Sequence, residues 1–464
     1  MAAYAAPAAA APEYGAAYET ELFPFVERPS RYINCEVNAV HTAWDSAQVR
    51  IALVFPDAYE IGVSHLGLKI LYQILNAMPG VVAERCYMPW TDAEQVLRAR
   101  TLPLCSLESC RPLSAFHIVG FSIQYELCYS NMLAVLELSG IPLRSAQRAG
   151  RPHPLVIAGG NVYAPGPLEP FMDAFALGDG ENTVQRLVQW AKRHVDGGTQ
   201  FVPGTDLLRD LARSVPGMYA PSLYHFEAAG DQARRQCPVA PRYADVPVPV
   251  SKQIIEHLED APDTSALLVP FCEAVHDRAQ IEIMRGCVRG CRFCQAGMLT
   301  RPQREKGAAQ IVSEVRRVIA RTGFEEVTLA SLSAGDCSTI GAAMRQLLDH
   351  ASIASSHTAV SLPSLRLDSF DPELAELIRR MRKTGFTFAP EAGSERLRRV
   401  INKNLSHAEI LATVKGVFEA GWTLVKIYFM LGLPSETQED VEALVALTHE
   451  IVRTRRGGRG TVNL

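Results

Sequence analysis

Along this chain, short apolar runs alternate with stretches in which apolar positions recur every three or four residues. Val49-Arg-Ile-Ala-Leu-Val-Phe55 is an apolar run closed by Pro56-Asp57, the pattern of a buried strand ending in a turn. Gly67, Leu71, Ile74, Leu75 and Met78 then fall on one face of a helix. The same reading predicts strands at 117–122, 154–160 and from Ala174 towards Glu181, with helices at 129–139 and 181–194. Strands alternating with helices predict a parallel, doubly wound, Rossmann-like sheet. Ligands of such sheets sit beyond the carboxyl ends of the strands, where Ser122, Gly159-Gly160 and Gly178-Asp-Gly180-Glu181 fall. No G-x-G-x-x-G opens a helix after the first strand, which speaks against a nicotinamide site.

Residues 196–276 are irregular and read as a connector. Glycine and proline punctuate them, 207–213 has the look of a short helix, and Val246-Pro-Val-Pro-Val250 reads as extended linker. From Gln280 the strand–helix rhythm returns. Strands are predicted at 280–284, 326–330, 358–362, 386–389 and 424–430, with helices at 311–319, 339–350, 372–383, 394–400 and 439–452. Thr461-Val-Asn-Leu464 looks like a sixth strand cut short, as expected of a truncated chain. The resulting division is a 1–30 Ala/Pro-rich tail without order, a 31–195 Rossmann-like domain, a 196–276 connector and a 277–464 β/α domain.

The chemistry concentrates in Gly286-Cys287-Val-Arg-Gly-Cys291-Arg-Phe-Cys294, a C-x3-C-x2-C motif in a loop with two glycines. Three thiolates at this spacing can reach one soft metal centre. A structural zinc site needs four closed ligands, and no fourth Cys or His lies within ten residues. A redox pair uses two cysteines, and a disulfide leaves one over. Three thiolates and one vacancy fit a [4Fe–4S] cluster whose fourth iron binds something else.

This motif, with the aromatic Phe293 before its last cysteine, resembles that of the radical S-adenosylmethionine (SAM) superfamily. The resemblance implies a partial (β/α)6 TIM-type barrel with Cys287, Cys291 and Cys294 on the cluster and SAM on its open iron. It places Ser331, Ser333 and Asp336 after the second strand against SAM's amino group, with a helix-capping turn as the alternative. It gives Arg366 to SAM's carboxylate, a surface ion pair being equally compatible. Glu391, in Ala389-Pro-Glu-Ala-Gly-Ser394, resembles the acid that meets the ribose hydroxyls. Gly432 and Glu436 resemble the adenine-contacting turn, and Phe293 would pack on adenine or on the barrel mouth. The N-terminal half resembles a cobalamin-binding domain through Ser122 and Gly159-Gly160, which makes cobalamin a further candidate cofactor. Its first loop departs from the cobalt-ligating Asp-x-His-x-x-Gly pattern: Asp57 is followed by Tyr59, and His65 reads as a helix-start residue.

The implied activity is reductive cleavage of SAM to a 5′-deoxyadenosyl radical, with cobalamin-assisted methyl transfer or rearrangement on an unknown substrate. The catalytic groups towards that substrate are unknown from sequence. The alternatives are a tRNA methylthiolase-like enzyme, with Cys86, Cys105 and Cys110 as second-cluster candidates, and a non-catalytic iron–sulfur scaffold. An electron donor such as flavodoxin or ferredoxin is the expected partner. Composition adds three points. A net charge of -4 leaves no overall footprint for nucleic acid. Eleven cysteines in no closely spaced even framework suit a reducing cytoplasm. No run of about 18 apolar residues predicts a membrane span.

Overall fold

A computed structural model of the chain describes residues 14–162, 165–195, 200–228, 236–263, 265–350, 358–362, 366–367, 373, 376–377, 386–455 and 460–464. It divides into two compact units, Met1–Ile255 with Ala266–Asp277, and Glu256–Ser265 with Arg278–Leu464.

The first unit is built on a sheet of strands β1 (Val49–Phe55), β2 (Val81–Tyr87), β3 (Ile118–Ile123), β4 (Leu155–Gly160), β5 (Ala174–Ala176) and β6 (Met218–Tyr219), in the order β2-β1-β3-β4-β5-β6. All neighbours run parallel except β5 and β6. This is a doubly wound arrangement whose chain reverses direction of travel at β1/β3, the position where such sheets open a crevice. Six of the seven β1 residues are buried, as a parallel strand covered on both faces requires. Of the predicted helices, Leu66–Asn76, Tyr129–Leu138 and Gly180–His194 are present. In the first of them Ile74 and Leu75 of the expected face are buried and Gly67, Leu71 and Met78 half-buried, while Leu68 and Tyr72 are buried beside them. Tyr72 accepts the Val40 N–H at 2.8 Å.

Strand β2 and the helix Thr91–Arg100 behind it are not apparent from the apolar pattern. Glu84 and Arg85 interrupt the run Val81-Val-Ala-Glu-Arg-Cys-Tyr87, yet every residue of β2 is buried. Arg85 is fully enclosed and satisfied: it donates to Glu36 at 2.8 and 3.2 Å and to Glu108 Oε1 at 2.6 Å. Removing one partner of such a set leaves an uncompensated buried charge, at a cost of about 3–5 kcal/mol. Glu84 points to a different set of donors, the Ser106 and Ser109 hydroxyls, at 2.6 and 2.7 Å.

Residues read as connector continue this unit, with a helix Thr205–Ser214, strand β6, and an antiparallel hairpin of β7 (Tyr224–Ala228) and β8 (Gln236–Pro241). Gln253 bridges to Gly178, whose φ of +103° lets the two backbones touch beyond β5.

The second unit holds β9 (Ala279–Glu282), β12 (Glu326–Ala330) and β13 (Ala359–Ser361) in one parallel sheet, and β14 (Phe386–Glu391), β15 (Leu424–Phe429) and β16 (Thr461–Asn463) in another. Among the described residues no pairing joins β13 to β14. Six parallel strands with intervening helices at Ala308–Thr322, Ile340–Asp349, Glu395–Val400 and Gln438–Arg453 match the expected partial barrel. The helix expected at 372–383 lies outside the described residues apart from Glu373, Glu376 and Leu377. Two elements are additions. The run expected as one strand at 280–284 breaks at Ile283, and β10 (Met284–Arg285) pairs instead with β11 (Arg304–Glu305) antiparallel. A helix His407–Glu419 precedes β15, opened by a capping box in which Ser406 and Glu409 satisfy each other's backbone N–H groups.

Burial, reinforced by the Glu108 charge, pushes the Glu84 carboxyl up from 4.5 to about 7, although the Ser106 and Ser109 hydrogen bonds pull it back. The proton is therefore held more tightly folded than unfolded. Its stabilisation is complete below about 4.5 and is lost as pH rises through about 7. Glu84→Gln stays neutral throughout, so its melting temperature relative to the natural chain should rise between pH 5 and pH 8. The gain corresponds to about 2 kcal/mol, and a difference independent of pH would contradict this.

Candidate metal and cofactor site

The cysteine loop leaves β10 at Gly286, the position that sets its path. Gly286 has φ +88°, and a Cβ there would lie 2.5 Å from Pro302 O and 2.7 Å from Thr300 O. Backbone cannot yield as a flexible side chain can, so only glycine fits. Four further contacts fix the loop from outside. Arg301 Nε donates to Cys287 O at 3.2 Å, and Asn402 Nδ2 to Gly290 O at 2.8 Å. The Arg292 N–H reaches Ile401 O at 2.9 Å, and the Arg292 guanidinium caps Val400 O.

Cys287, Cys291 and Cys294 are all half-buried. The Gly297 N–H donates to Cys294 Sγ at 3.3 Å, and Arg366 Nη1 lies 3.8 Å from Cys291 Sγ. Among the described residues no three Cys, His, Asp or Glu side chains converge on a common metal point, these three included. They share one loop without yet closing on one centre. Phe293 is 41% exposed, and Val288 beside the first cysteine is more so.

The other candidates lie at the carboxyl ends of the strands. After β12, the buried Ser331 hydroxyl has no hydrogen-bond partner among the described residues. Ser333 is buried and donates to Asp336 Oδ2 at 2.7 Å. Arg289, between the first two cysteines, grips both Asp336 oxygens. Burial alone would raise the Asp336 carboxyl, but the Arg289 and Ser333 hydrogen bonds and the Arg289 and Arg366 charges outweigh it and hold it below the usual range. After β14, Glu391 adopts φ +68°, its register slips against β15, and Lys403 Nζ holds Oε1 at 3.0 Å. Gly393 and Ser394 of the same string have packing duties. A Cβ at Gly393 would meet Leu444 N at 2.1 Å, and Ser394 caps the helix Glu395–Val400 while donating to Asp440. Gly432, at φ +80°, donates its N–H to Glu436 Oε2 at 2.5 Å, so these two candidates close a turn with each other.

In the first unit, Ser122 accepts from Gln124 at 3.2 Å, and Gly160, at φ +97°, packs against Ile123 O. Gly159 stands opposite Ser122 in the β3/β4 register. His65 caps the helix Leu66–Asn76 by accepting the Leu68 N–H at 3.1 Å, and Gln124 is its other partner. Burial lowers its pKa to about 4. Asp57 accepts from Tyr125 at 2.5 Å, linking the loops after β1 and β3.

Arg289 and Lys403 carry no signal in the sequence. Their partners lie 47 and 12 residues away, and an isolated cation has no periodicity that would reveal its counterion.

The chain has two α/β units, the second with three thiols on a loop beside its strands, and comparison with known proteins gives its class. Residues 67–221 match the family model for radical SAM proteins, N-terminal, and residues 281–448 that of the radical SAM superfamily, together more than half of the chain. An uncharacterised protein of Methanocaldococcus jannaschii is 25% identical over 89% of this chain and 76% of its own length. A tRNA-2-methylthio-N(6)-dimethylallyladenosine synthase of Thermotoga petrophila is 24% identical, over 41% of this chain and 44% of its own. The fold resembles the radical SAM methyltransferase TsrM of Kitasatospora setae, with a TM-score of 0.56 and 15% identity over 87% of this chain and 71% of that one. It also resembles the cobalamin-dependent radical SAM enzyme OxsB, with a TM-score of 0.54 and 13% identity over 86% of this chain and 51% of that one. The chain belongs to the radical SAM superfamily and is an enzyme of that class. The family implies a [4Fe–4S] cluster and SAM, a substrate and a reductant. The residues present fit both groups: three thiols on one loop suit the cluster, and the orphaned Ser331 hydroxyl suits a polar ligand at the same strand ends. Among the described residues no helix is long and apolar enough to cross a membrane.

Gly286→Ala should leave far-ultraviolet circular dichroism unchanged but misdirect the loop, destabilising the second unit by about 1–3 kcal/mol. Iron uptake on anaerobic reconstitution should fall well below that of the natural chain. Equal uptake would show that the glycine does not set the loop's path.

Proposed function

We propose that this chain is a cobalamin-assisted radical SAM enzyme that methylates or rearranges an unactivated position of its substrate. The observation that carries the reading is the donor set after β10: Cys287, Cys291 and Cys294 on one anchored loop, two of their sulfurs already receiving N–H groups. Cys287, Cys291 and Cys294 would hold the cluster, which, once reduced by an external one-electron donor, would supply the chemistry of reductive SAM cleavage.

The protein's own residues bind and orient. The Ser331 hydroxyl and Asp336 offer a hydrogen bond and a carboxylate to an ammonium, with Ser333 and Arg289 holding that carboxylate in place. Glu391 presents acceptor oxygens to a vicinal diol while Lys403 balances its charge. The Gly432–Glu436 turn and Phe293 provide backbone and an aromatic face for a purine.

Cobalamin is assigned to the first unit on its sheet order, its Ser122 and Gly159-Gly160 edge, and the fold it shares with two enzymes described as radical SAM methyltransferase and cobalamin-dependent. His65 is engaged as a helix cap, which supports a corrinoid bound without a protein imidazole below it. The reductant is a flavodoxin- or ferredoxin-type protein and the compartment is the cytoplasm. The second reading, methylthiolation of tRNA, draws on the Thermotoga relative. It requires a second cluster, for which Cys86 and Cys105 are buried and Cys110 half-buried.

Anaerobic reconstitution with iron and sulfide, with and without hydroxocobalamin, tests the proposal through the visible spectrum and 5′-deoxyadenosine release. Bound corrinoid with SAM cleavage is expected. Cleavage without retained corrinoid would remove the methyl-transfer half of the reading. Cys291→Ala should abolish the brown chromophore and SAM cleavage together. Glu391→Gln should weaken SAM binding about tenfold with iron content unchanged, and loss of iron instead would make Glu391 structural.

A further inference from the structure

Arg366 follows β13 and is half-buried, with Nη1 3.8 Å from Cys291 Sγ, inside the reach of an N–H···S hydrogen bond. Its charge also acts on Asp336, but the bidentate partner of that carboxylate is Arg289. The family resemblance offers Arg366 to the carboxylate of SAM, with a surface ion pair equally compatible. The geometry favours a different role, and we propose that Arg366 is a positioning residue that sets the reduction potential of the cluster through the thiolate of Cys291. This rests on the three-cysteine cluster proposed above.

The argument is electrostatic. One-electron reduction adds one negative charge to a centre whose ligand sulfurs share it. A guanidinium directed at one of those sulfurs is attracted more strongly to the reduced state than to the oxidised one, so it favours reduction and raises the potential. The effect is larger in a half-buried site than in water, because less solvent screens the charge. The Gly297 N–H on Cys294 at 3.3 Å acts in the same direction but carries no net charge. A planar fork on a sulfur is also directional, whereas a lysine ammonium would keep the charge on a flexible stem. Arg366→Gln therefore removes charge and direction, and Arg366→Lys removes mainly direction.

The test is a redox titration monitored by electron paramagnetic resonance, on the reconstituted full chain and both variants, without SAM. Iron content is measured alongside. Arg366→Gln should retain its iron, while its reduced-to-oxidised ratio at fixed applied potential falls about tenfold, equivalent to about 59 mV for a one-electron couple. Arg366→Lys should fall less. An unchanged potential in both iron-loaded variants would overturn the proposal. So would an unchanged potential accompanied by more than tenfold weaker SAM binding, which would return Arg366 to the carboxylate of SAM. If Arg366→Gln loses its iron, Arg366→Lys decides by the same measurement. Failure of the natural chain to take up iron would overturn the cluster reading itself, a distinct result.

Discussion

The proposed cluster requires the thiols of Cys287, Cys291 and Cys294 to meet on one centre, a demand that a loop of eight residues cannot meet alone. It is too short to build a hydrophobic core or a hydrogen-bond ladder, so its shape has to be imposed by neighbours. The β10–β11 pairing closes its ends, Gly286 turns the chain where a side chain would strike backbone, and Arg301, Asn402 and Asp336 hold it from three separate elements. The sulfurs are arranged along the loop but not gathered on one point.

The same logic of imposed electrostatics recurs away from the cysteines. In the first unit, Arg85 stands fully enclosed between Glu36 and Glu108, while burial pushes the Glu84 carboxyl up and the Ser106 and Ser109 hydroxyls hold it. In the second, Asp336 and Glu391 are each paired with a cation, Arg289 and Lys403, so that neither carboxylate is left as an unpaired charge at the strand ends.

How far the sequence could be read depended on whether a residue acts locally. The β/α alternation of each unit, the parallel strands β1, β3, β4, β12 and β15, and the cysteine loop are legible because apolar runs and cysteine spacing are local signals. Strand β2 was hidden because its centre is Glu84-Arg85, and the partners that make those residues buriable lie 22 to 49 residues away. The helix His407–Glu419 left a local signal, the Ser406-x-x-Glu409 capping box, that periodicity alone does not weigh. At the site, residue types were legible but their connections were not. Asp336 could be picked out as a carboxylate at a strand end; its grip by Arg289 required the fold. The string around Glu391 shows the converse, since part of its distinctiveness is packing: Gly393 makes room for Leu444, and Ser394 caps a helix.

The central claim is that Cys287, Cys291 and Cys294 hold a cluster with one iron open to SAM. Electron paramagnetic resonance of the reduced, reconstituted chain before and after SAM addition tests it most directly. A [4Fe–4S] signal whose g-values shift when SAM is added is the predicted result. A cluster signal indifferent to SAM would contradict the open-iron site and leave the three cysteines with a structural or electron-carrying role.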